Sequence, residues 1–469
     1  MSMVDHIKLL HEDPRHFFKM NTTEMFDLDP AAVEELQLIL LQRRFAELRP
    51  KVKMLDRLCG ETNTDRIDSF DDAVPLALPH TVYKSYGSMD MDKLRFDRMT
   101  KWLDKLTAYD LSGIDVSGCT TIEDWINRIE AVTPLRPVSS SGTLGKISVL
   151  PRGIPEDEAQ LLMLFSMFEP YRDEPGIDLR DGKTPFQCPW PSDTGRQAFI
   201  NTIDILRRGV YPGHPEMVQT VGKGRISADE LKLASRLRRA ETLGEQIELS
   251  AQERQIAELV AQRNRAMPDR MDRYIQEAII DRKGQRVLMF GFWTQVFEVA
   301  RACKAKGVKV EWSPDSVISS GGGTKGFVFP EGWRELIDEV FPFPLRENYG
   351  MSETTAISIG CREGHLHPVP WGIKHVVDPD SGKSLPRQGV QSGRLMVHDL
   401  LSTSLWPTTL TGDRVTIDWR GGCACGRKGP FFLNSIYRLG EATGDDKITC
   451  AKTPQAYERL EDFALGLGS

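Results

Sequence analysis

At 469 residues the chain exceeds what one hydrophobic core usually supports, so two or three subdomains are expected. A 40% hydrophobic and 27% charged composition is that of an ordinary globular protein, and the net charge of −7 argues against sequence-independent nucleic-acid binding. The N-terminus, MSMVDHIKLLHEDPRHFFK, carries charges every few residues and lacks the apolar core of a signal peptide. No later run approaches a membrane span, so the expectation is a cytoplasmic enzyme or binding protein. The 8 cysteines are too few and too scattered for a disulfide scaffold; clustered ones read as ligands or nucleophiles.

In chain order, an N-terminal helical segment (1–75) holds an amphipathic helix from Pro30 to Leu48, capped by Asp29 and carrying Val33, Leu36, Ile39, Leu40 and Phe45 on one side. A helix is predicted around Met91–Leu106, then a turn at Ser112-Gly113, then a Thr-capped helix over 120–132 with Glu123 in a capping box. Helices near Glu156–Phe168 and Gly195–Arg207 flank a Pro/Gly-rich stretch. Residues 227–263 read as one long charged helix or as a hairpin broken near Ser250, inside a helical insertion spanning 226–283. From Gln285 the texture turns α/β: RVLMFGF is a buried strand, Thr294–Lys306 a helix, Val308–Trp312 and Ser316–Ser319 strands, and Gly332–Val340 a helix. Phe290, Phe292 and Trp293 after the apolar strand read as core or as pocket lining.

Four stretches carry chemistry. SSSGTLGK (139–146) is a small-residue loop whose glycines let backbone N–H groups face an anion, with Lys146 adding charge. It is not a standard P-loop, because Ser140 stands where that pattern needs glycine. SSGGGTKG (319–326), with Gly321, Gly322 and Gly323, allows a base or carboxylate close to the backbone. ENYGMSETT (347–355) offers the ring of Tyr349, the hydroxyl of Ser352 and, in Glu353, a hard oxygen ligand for Mg²⁺. TGDRV (411–415) places Asp413 in a turn able to accept both ribose hydroxyls. Each stretch alone is equally a turn or a cap; their order is the informative feature.

That order resembles the acyl-adenylate-forming superfamily over roughly residues 76–446. Within it, LMFGF, SSGGGTKG, HLHPVPWG, the Ser402–Leu405/Pro407 stretch and CACGRKGPFF look most similar to the acyl-protein synthetases of fatty-acid reductase systems, and next to phenylacetate–CoA ligase-like enzymes. The resemblance implies an α/β fold: a large N-terminal adenylate-forming core (76–445) with the helical insertion and a small β-rich subdomain (360–435), lacking a full C-terminal lid and ending in a short tail (446–469). It implies that Ser141, Gly142, Thr143 and Lys146 border the ATP phosphates. Gly321–Gly323 and Tyr349, Gly350, Met351 would frame adenine and the substrate carboxylate, Ser352 would meet phosphate, Glu353 would hold Mg²⁺ and Asp413 the ribose. The implied reaction makes acyl-AMP from ATP and a carboxylic acid, then passes the acyl group to a thiol: the chain's own cysteine, a carrier protein, an acyl reductase partner or CoA. A non-catalytic adenylate-binding scaffold is the rival reading.

Cys361, His365, His367, Cys423 and Cys425 supply the soft donors of a closed, structural zinc site, with reduced cysteines in a tight turn as the alternative. The resemblance favours His367 over His365. Two departures stand out. Gly440-Glu441 replaces the Gly-Arg that relatives often carry before a hinge acid, here Asp445 or Asp446, which leaves Arg438 as the nearby arginine. Cys450, flanked by Lys447 and Lys452, is the candidate acyl acceptor or a residue of a short final strand.

Overall fold

The computed structural model describes residues 1–87, 89–140, 146–244, 246–322, 327–433 and 436–439. The chain forms two compact units: one comprises 138–148 and 164–349, the other 1–137, 149–163 and 350–469. The segment 1–75 thus belongs to the same unit as the β-rich 360–435 region.

The first of these units is built on five parallel strands, Phe186–Cys188, Val218–Thr220, Leu288–Phe292, Val317–Gly321 and Leu345–Tyr349. Numbered along the chain, they lie across the sheet in the order two, one, three, four, five. Val287, Leu288, Met289 and Phe290 are all buried, as a strand covered on both faces requires. One face packs Met289 and Ile318 against Val296, Phe297 and Ala300 of the helix Trp293–Ala305 and Ile337 of the helix Trp333–Val340. On the other, Phe290 and Phe186 meet Phe168 with ring centroids 5.7 and 5.6 Å away.

The 227–263 stretch is the hairpin. Helices Ala228–Leu243 and Ala251–Arg265 are capped by Ser227 and Ser250, and Ser250 forms a capping box with Glu253. Arg263 forks onto Glu230 at 2.6 and 3.0 Å, and Arg236 pairs with Glu253. Gly244, at φ 65°, ends the first arm.

In the other unit, antiparallel strands run Gly372–Val377, Val390–Asp399, Thr408–Asp418, Phe431–Phe432, Leu366–Pro368 and Ser358–Gly360 across one sheet. Leu78–Pro79 and Tyr437–Arg438 pair with the Thr408–Asp418 strand. The helix Pro30–Leu48, capped by Asp29 as expected, lies against strand ends: Gln37 Nε2 donates to the carbonyl of Pro370 and an Arg44 guanidinium N–H to that of Leu400, at 2.9 and 2.8 Å. Those two roles explain why polar residues share its buried face with Leu36, Leu40, Leu41, Phe45 and Leu48. Glu156, 3% exposed, takes hydrogen bonds from Ser402 Oγ and from the N–H groups of Thr403 and Ser404 at 2.7 to 2.9 Å, tying that loop to the helix Ile154–Phe168.

Several element boundaries differ from expectation for identifiable reasons. The helix expected over Met91–Leu106 spans only Phe96–Leu103, because Leu94 sits at φ 51° and closes a turn before it. In the helix Ile122–Val132 the capping-box acid is Asp124, not Glu123. Val308–Trp312 is not a strand: Gly284 N–H donates to Glu311 and Ser313 N–H to Gln285, flanking contacts without a ladder. Phe290 and Trp293 are both 8% exposed, so each is packed rather than open.

Lys374 on the Gly372–Val377 strand is 2% exposed and donates to the carbonyl of Ala356. Burial lowers its pKa to about 7, against the pull of the Asp399 carboxylate. Between pH 7 and the ordinary 10.5 the unfolded chain therefore binds a proton that the folded one lacks. Stability from this group rises with pH through that window by up to ~1.4 kcal/mol per unit, and below it the full penalty stands. Urea titrations are expected to show that slope reduced in Lys374→Met.

Candidate functional site

Glu353, Asp413 and Arg438 are brought together in the unit holding 350–469. Thr411-Gly412-Asp413 is not a free turn but a bulged part of the long strand: opposite it the register slips between Arg394 and Met396. The bulge directs the chain so that Asp413 lies across the ladder from Arg438, with Nε 3.5 Å from Oδ1, and Leu439 N–H reaches the carbonyl of Gly412 at 3.0 Å. Asp413 N–H is fixed by Thr411 Oγ1 at 3.1 Å.

The carboxyl of Glu353 is raised above its usual range, first by burial and then by the neighbouring Asp413, against the lowering effect of its own backbone N–H, Lys84 and Arg438. It makes no ion pair among the described residues. Three residues unremarked in the sequence join this cluster from the short helix His80–Lys84. The His80 ring packs on Gly412, where an added Cβ would stand 3.1 Å from Cε1. Burial, followed by Arg438, Arg394 and Lys84, lowers its pKa to about 4, so the imidazole is neutral at physiological pH. Tyr83 is fully buried and its hydroxyl has no hydrogen-bond partner among the described residues. HTVYK has no periodic or glycine signal, and only its pairing neighbour Leu78–Pro79 places it here.

Of the other expected nucleotide-binding residues, those before Gly350 belong to the unit with the parallel sheet. Lys146 is half-buried after the loop, whose Ser141, Gly142 and Thr143 lie outside the described residues. At the loop's shoulders, Ser140 Oγ lies 3.1 Å from Ser148 Oγ and accepts Ser148 N–H at 3.2 Å. Gly321 ends its strand so close to Asn348 that a Cβ would fall 2.4 Å from that carbonyl; Gly322 follows at φ 76°, and Gly323 and Lys325 lie outside the described residues. Tyr349 ends the last parallel strand, and Gly350, Met351 and Ser352 open the other unit. Cys450, Glu441, Asp445 and Asp446 lie outside the described residues.

The cysteine cluster has the dimensions of a tetrahedral centre. Donor atoms of Cys361, His367, Cys423 and Cys425 all lie within 4.8 Å of one another. Cys361 Sγ and Cys423 Sγ are 3.9 Å apart, and Cys425 Sγ is 3.4 Å from His367 Nε2. Bond lengths of ~2.3 Å to sulfur and ~2.0 Å to nitrogen give tetrahedral edges of about 3.8 and 3.5 Å, so the four fit zinc. Cys425 is held far below the usual thiol range, first by the hydrogen bond from Cys361 and then by His367, while Cys361 is pushed up. His365 lies beside the group, with Nδ1 3.2 Å from Cys423 Sγ and its ring tilted 32° against Phe431 at 4.5 Å.

No helix among the described residues is long and apolar enough to cross a membrane. No family model matches the chain, and no curated protein matches it in sequence. Solved structures do. Against 2-hydroxyisobutyryl-CoA ligase with 2-HIB-AMP and CoA in the thioesterification state, the match covers 88% of this chain and 69% of the ligase at 12% identity, with a TM-score of 0.51. An open conformation of the same ligase gives 87% and 70% coverage at 11% identity and a TM-score of 0.48. ATP-bound MatB from Rhodopseudomonas palustris gives 65% and 48% at 14% and a TM-score of 0.36. The likeness is one of fold: this chain has the mixed α/β architecture of an acyl-CoA ligase crystallised with its acyl-adenylate.

Proposed function

We propose that the chain is an ATP-dependent ligase that activates a carboxylic acid as acyl-AMP and transfers the acyl group to a thiol. The observation that carries this reading is the Asp413–Arg438 pair across the bulged strand, with the turn residue Glu353 near enough to feel both charges, in a chain with the fold of an adenylate-bound ligase. Asp413 accepts the ribose hydroxyls, and Arg438, beside it, contacts ribose or phosphate in place of the arginine missing at Glu441. The substrate carboxylate attacks the α-phosphorus of ATP, pyrophosphate leaves, and a thiol opens the mixed anhydride, releasing AMP.

Glu353 fits a magnesium ligand: a half-buried carboxylate without an ion-pair partner among the described residues, in surroundings that penalise its bare charge. A magnesium ion held by Glu353 would supply positive charge against the phosphates. Lys146 and the 139–146 loop contact the phosphates, and Gly321–Gly323 with Tyr349–Ser352 frame the adenine and the carboxylate. Cys361, His367, Cys423 and Cys425 would hold a structural zinc, since four protein donors leave no position open for substrate. The acceptor thiol is a protein cysteine such as Cys450, a carrier, or CoA. ATP–pyrophosphate exchange with a panel of acids tests the reading: acid-dependent exchange supports it, while ATP binding without exchange for any acid assigns the chain to the scaffold class.

A further inference from the structure

Glu353 sits in a turn outside any helix or strand, so the direction of its side chain depends on what holds that turn. The anchor is Asp399, the last residue of the strand Val390–Asp399, 2% exposed. Its Oδ2 accepts Thr355 N–H at 2.5 Å, the Thr355 hydroxyl at 2.7 Å and the Thr354 hydroxyl at 3.1 Å, and its Oδ1 accepts Leu401 N–H at 3.2 Å. Thr354 Oγ1 in turn accepts Ala356 N–H at 2.9 Å, and Lys374 Nζ donates to the carbonyl of Ala356. Thr354, Thr355 and Ala356, which follow Glu353 directly, are thus held by one carboxylate and one lysine from two paired strands.

Two observations set this anchor apart from ordinary turn packing. A buried carboxylate is tolerated only where its oxygens are satisfied and its charge is offset; here four donors converge on it, and the charges of Lys374 and of the buried Arg44 act on it. A turn that only needed its N–H groups satisfied could use a neutral side chain, whereas three bonds on one charged oxygen fix the course of the chain. The other observation is where that course leads. The charges acting on Glu353 are those of Lys84, Arg438 and Asp413, so the anchored turn presents its carboxyl towards the Asp413–Arg438 pair. A group that must meet a cation needs its place fixed to within about 0.5 Å.

We propose that Asp399 is a positioning residue for adenylation: acting through Thr354 and Thr355, it holds the Glu353 carboxylate where the cation of the nucleotide phosphates binds. This deepens, and rests on, the adenylation reading above. Asparagine at 399 keeps one oxygen for the threonine donors but turns an NH₂ towards Leu401 N–H, donor against donor, so the strand end and the turn shift together. Glu353 keeps its charge in that variant and loses its place.

The test is a double-mutant cycle. In ATP–pyrophosphate exchange, Asp399→Asn is expected to lower kcat by about 10²-fold, the cost of misplacing a reacting group by about 1 Å, with the KM for ATP nearly kept. In a Glu353→Gln background the same change is expected to have no further effect, because its influence passes through that carboxylate. Thr355→Val, which removes a single one of the bonds, should show a smaller loss with the same non-additivity, and it serves where Asp399→Asn folds poorly. Asp104→Asn is the control: it alters another buried carboxylate of the same unit, one that accepts Leu111 N–H at 2.9 Å, and should lower the melting temperature without moving the cation dependence. Mn²⁺ titration with a non-hydrolysable ATP analogue, followed by electron paramagnetic resonance, reads cation affinity without turnover, and Asp399→Asn is expected to weaken it about tenfold. Mn²⁺ binding that weakens non-additively in Asp399→Asn and Glu353→Gln, with no exchange for any acid, keeps the positioning role and sinks the adenylation reading. Additive losses in the cycle, Mn²⁺ affinity unchanged in Asp399→Asn, or an equal loss of affinity in Asp104→Asn overturns the inference.

Discussion

Exchange of Cys425 for serine is expected to remove a bound zinc ion and loosen the 361–367 and 423–432 segments together. A centre of three thiolates, one neutral imidazole and a divalent cation carries one net negative charge. Arg427, 1% exposed, stands beside it: its backbone N–H donates to Cys425 Sγ at 3.4 Å, its guanidinium is 5.5 Å from the Phe26 ring, and its charge acts on His367. The buried arginine offsets the net charge of the loaded centre. The cluster around the donors is small, Cys423, Cys425 and Phe431 with Cys361 and Leu433 at its edge. Metal–ligand bonds would add to it, since structural zinc supplies ~10–16 kcal/mol of apparent binding free energy in small zinc-finger peptides. Metal analysis of the wild type is expected to find on the order of one zinc per chain, as a single closed site requires. Cys425→Ser and His367→Ala should carry little, melt lower and be cleaved by protease within 420–433. His365→Ala should keep its zinc, since that ring lies outside the tetrahedron. Zinc-free wild-type protein that is as stable as zinc-loaded protein would show the cluster to be reduced cysteines in a turn.

How much of this was legible in the sequence depended on whether a signal was local. The Pro30–Leu48 helix, the Ser250 break and the apolar strand at 288–292 follow from caps and from hydrophobic runs that neighbours in sequence enforce. Donor chemistry gathers Cys361, His365, His367, Cys423 and Cys425, and only the family resemblance prefers His367, the histidine whose ring nitrogen lies with the three sulfurs. Bridging of distant segments was not legible. Glu156 holding the 402–404 loop, and His80 packed on Gly412, are set by tertiary register that neither residue's surroundings announce. The expected Thr-Gly-Asp turn is a strand bulge, since a one-against-several register slip leaves no mark in composition. Val308–Trp312 failed in the opposite direction: β-branched residues suggested a strand, but propensity does not supply a partner edge.

Asp413→Asn and Glu353→Gln are expected to damage the proposed adenylation in different ways, and the difference is diagnostic. A carboxylate accepting both ribose hydroxyls binds ATP as tightly before reaction as during it, so its loss removes uniform binding and raises KM. Hydrogen bonds to a charged group contribute ~1.5–3 kcal/mol, which places the KM for ATP in Asp413→Asn about 10- to 150-fold higher with kcat nearly kept. Asparagine also frees Arg438 from its 3.5 Å partner, and a milder Arg438→Lys change should shift KM in the same direction. Glu353 acts where charge develops. Its glutamine replacement is isosteric and removes the charge that attracts magnesium, so kcat should fall by about 10²–10³, the usual cost of losing one preorganised electrostatic contact. Half-saturation by magnesium should move upward in Glu353→Gln and stay in place in Asp413→Asn. The raised carboxyl of Glu353 adds a pH arm: proton and magnesium compete for the same oxygens, so wild-type activity should fall on acidification at a higher pH when magnesium is limiting than when it saturates. Equal kcat losses in both variants, with no change in magnesium dependence, would mean that Glu353 supports the fold around Asp413 instead of binding the cation.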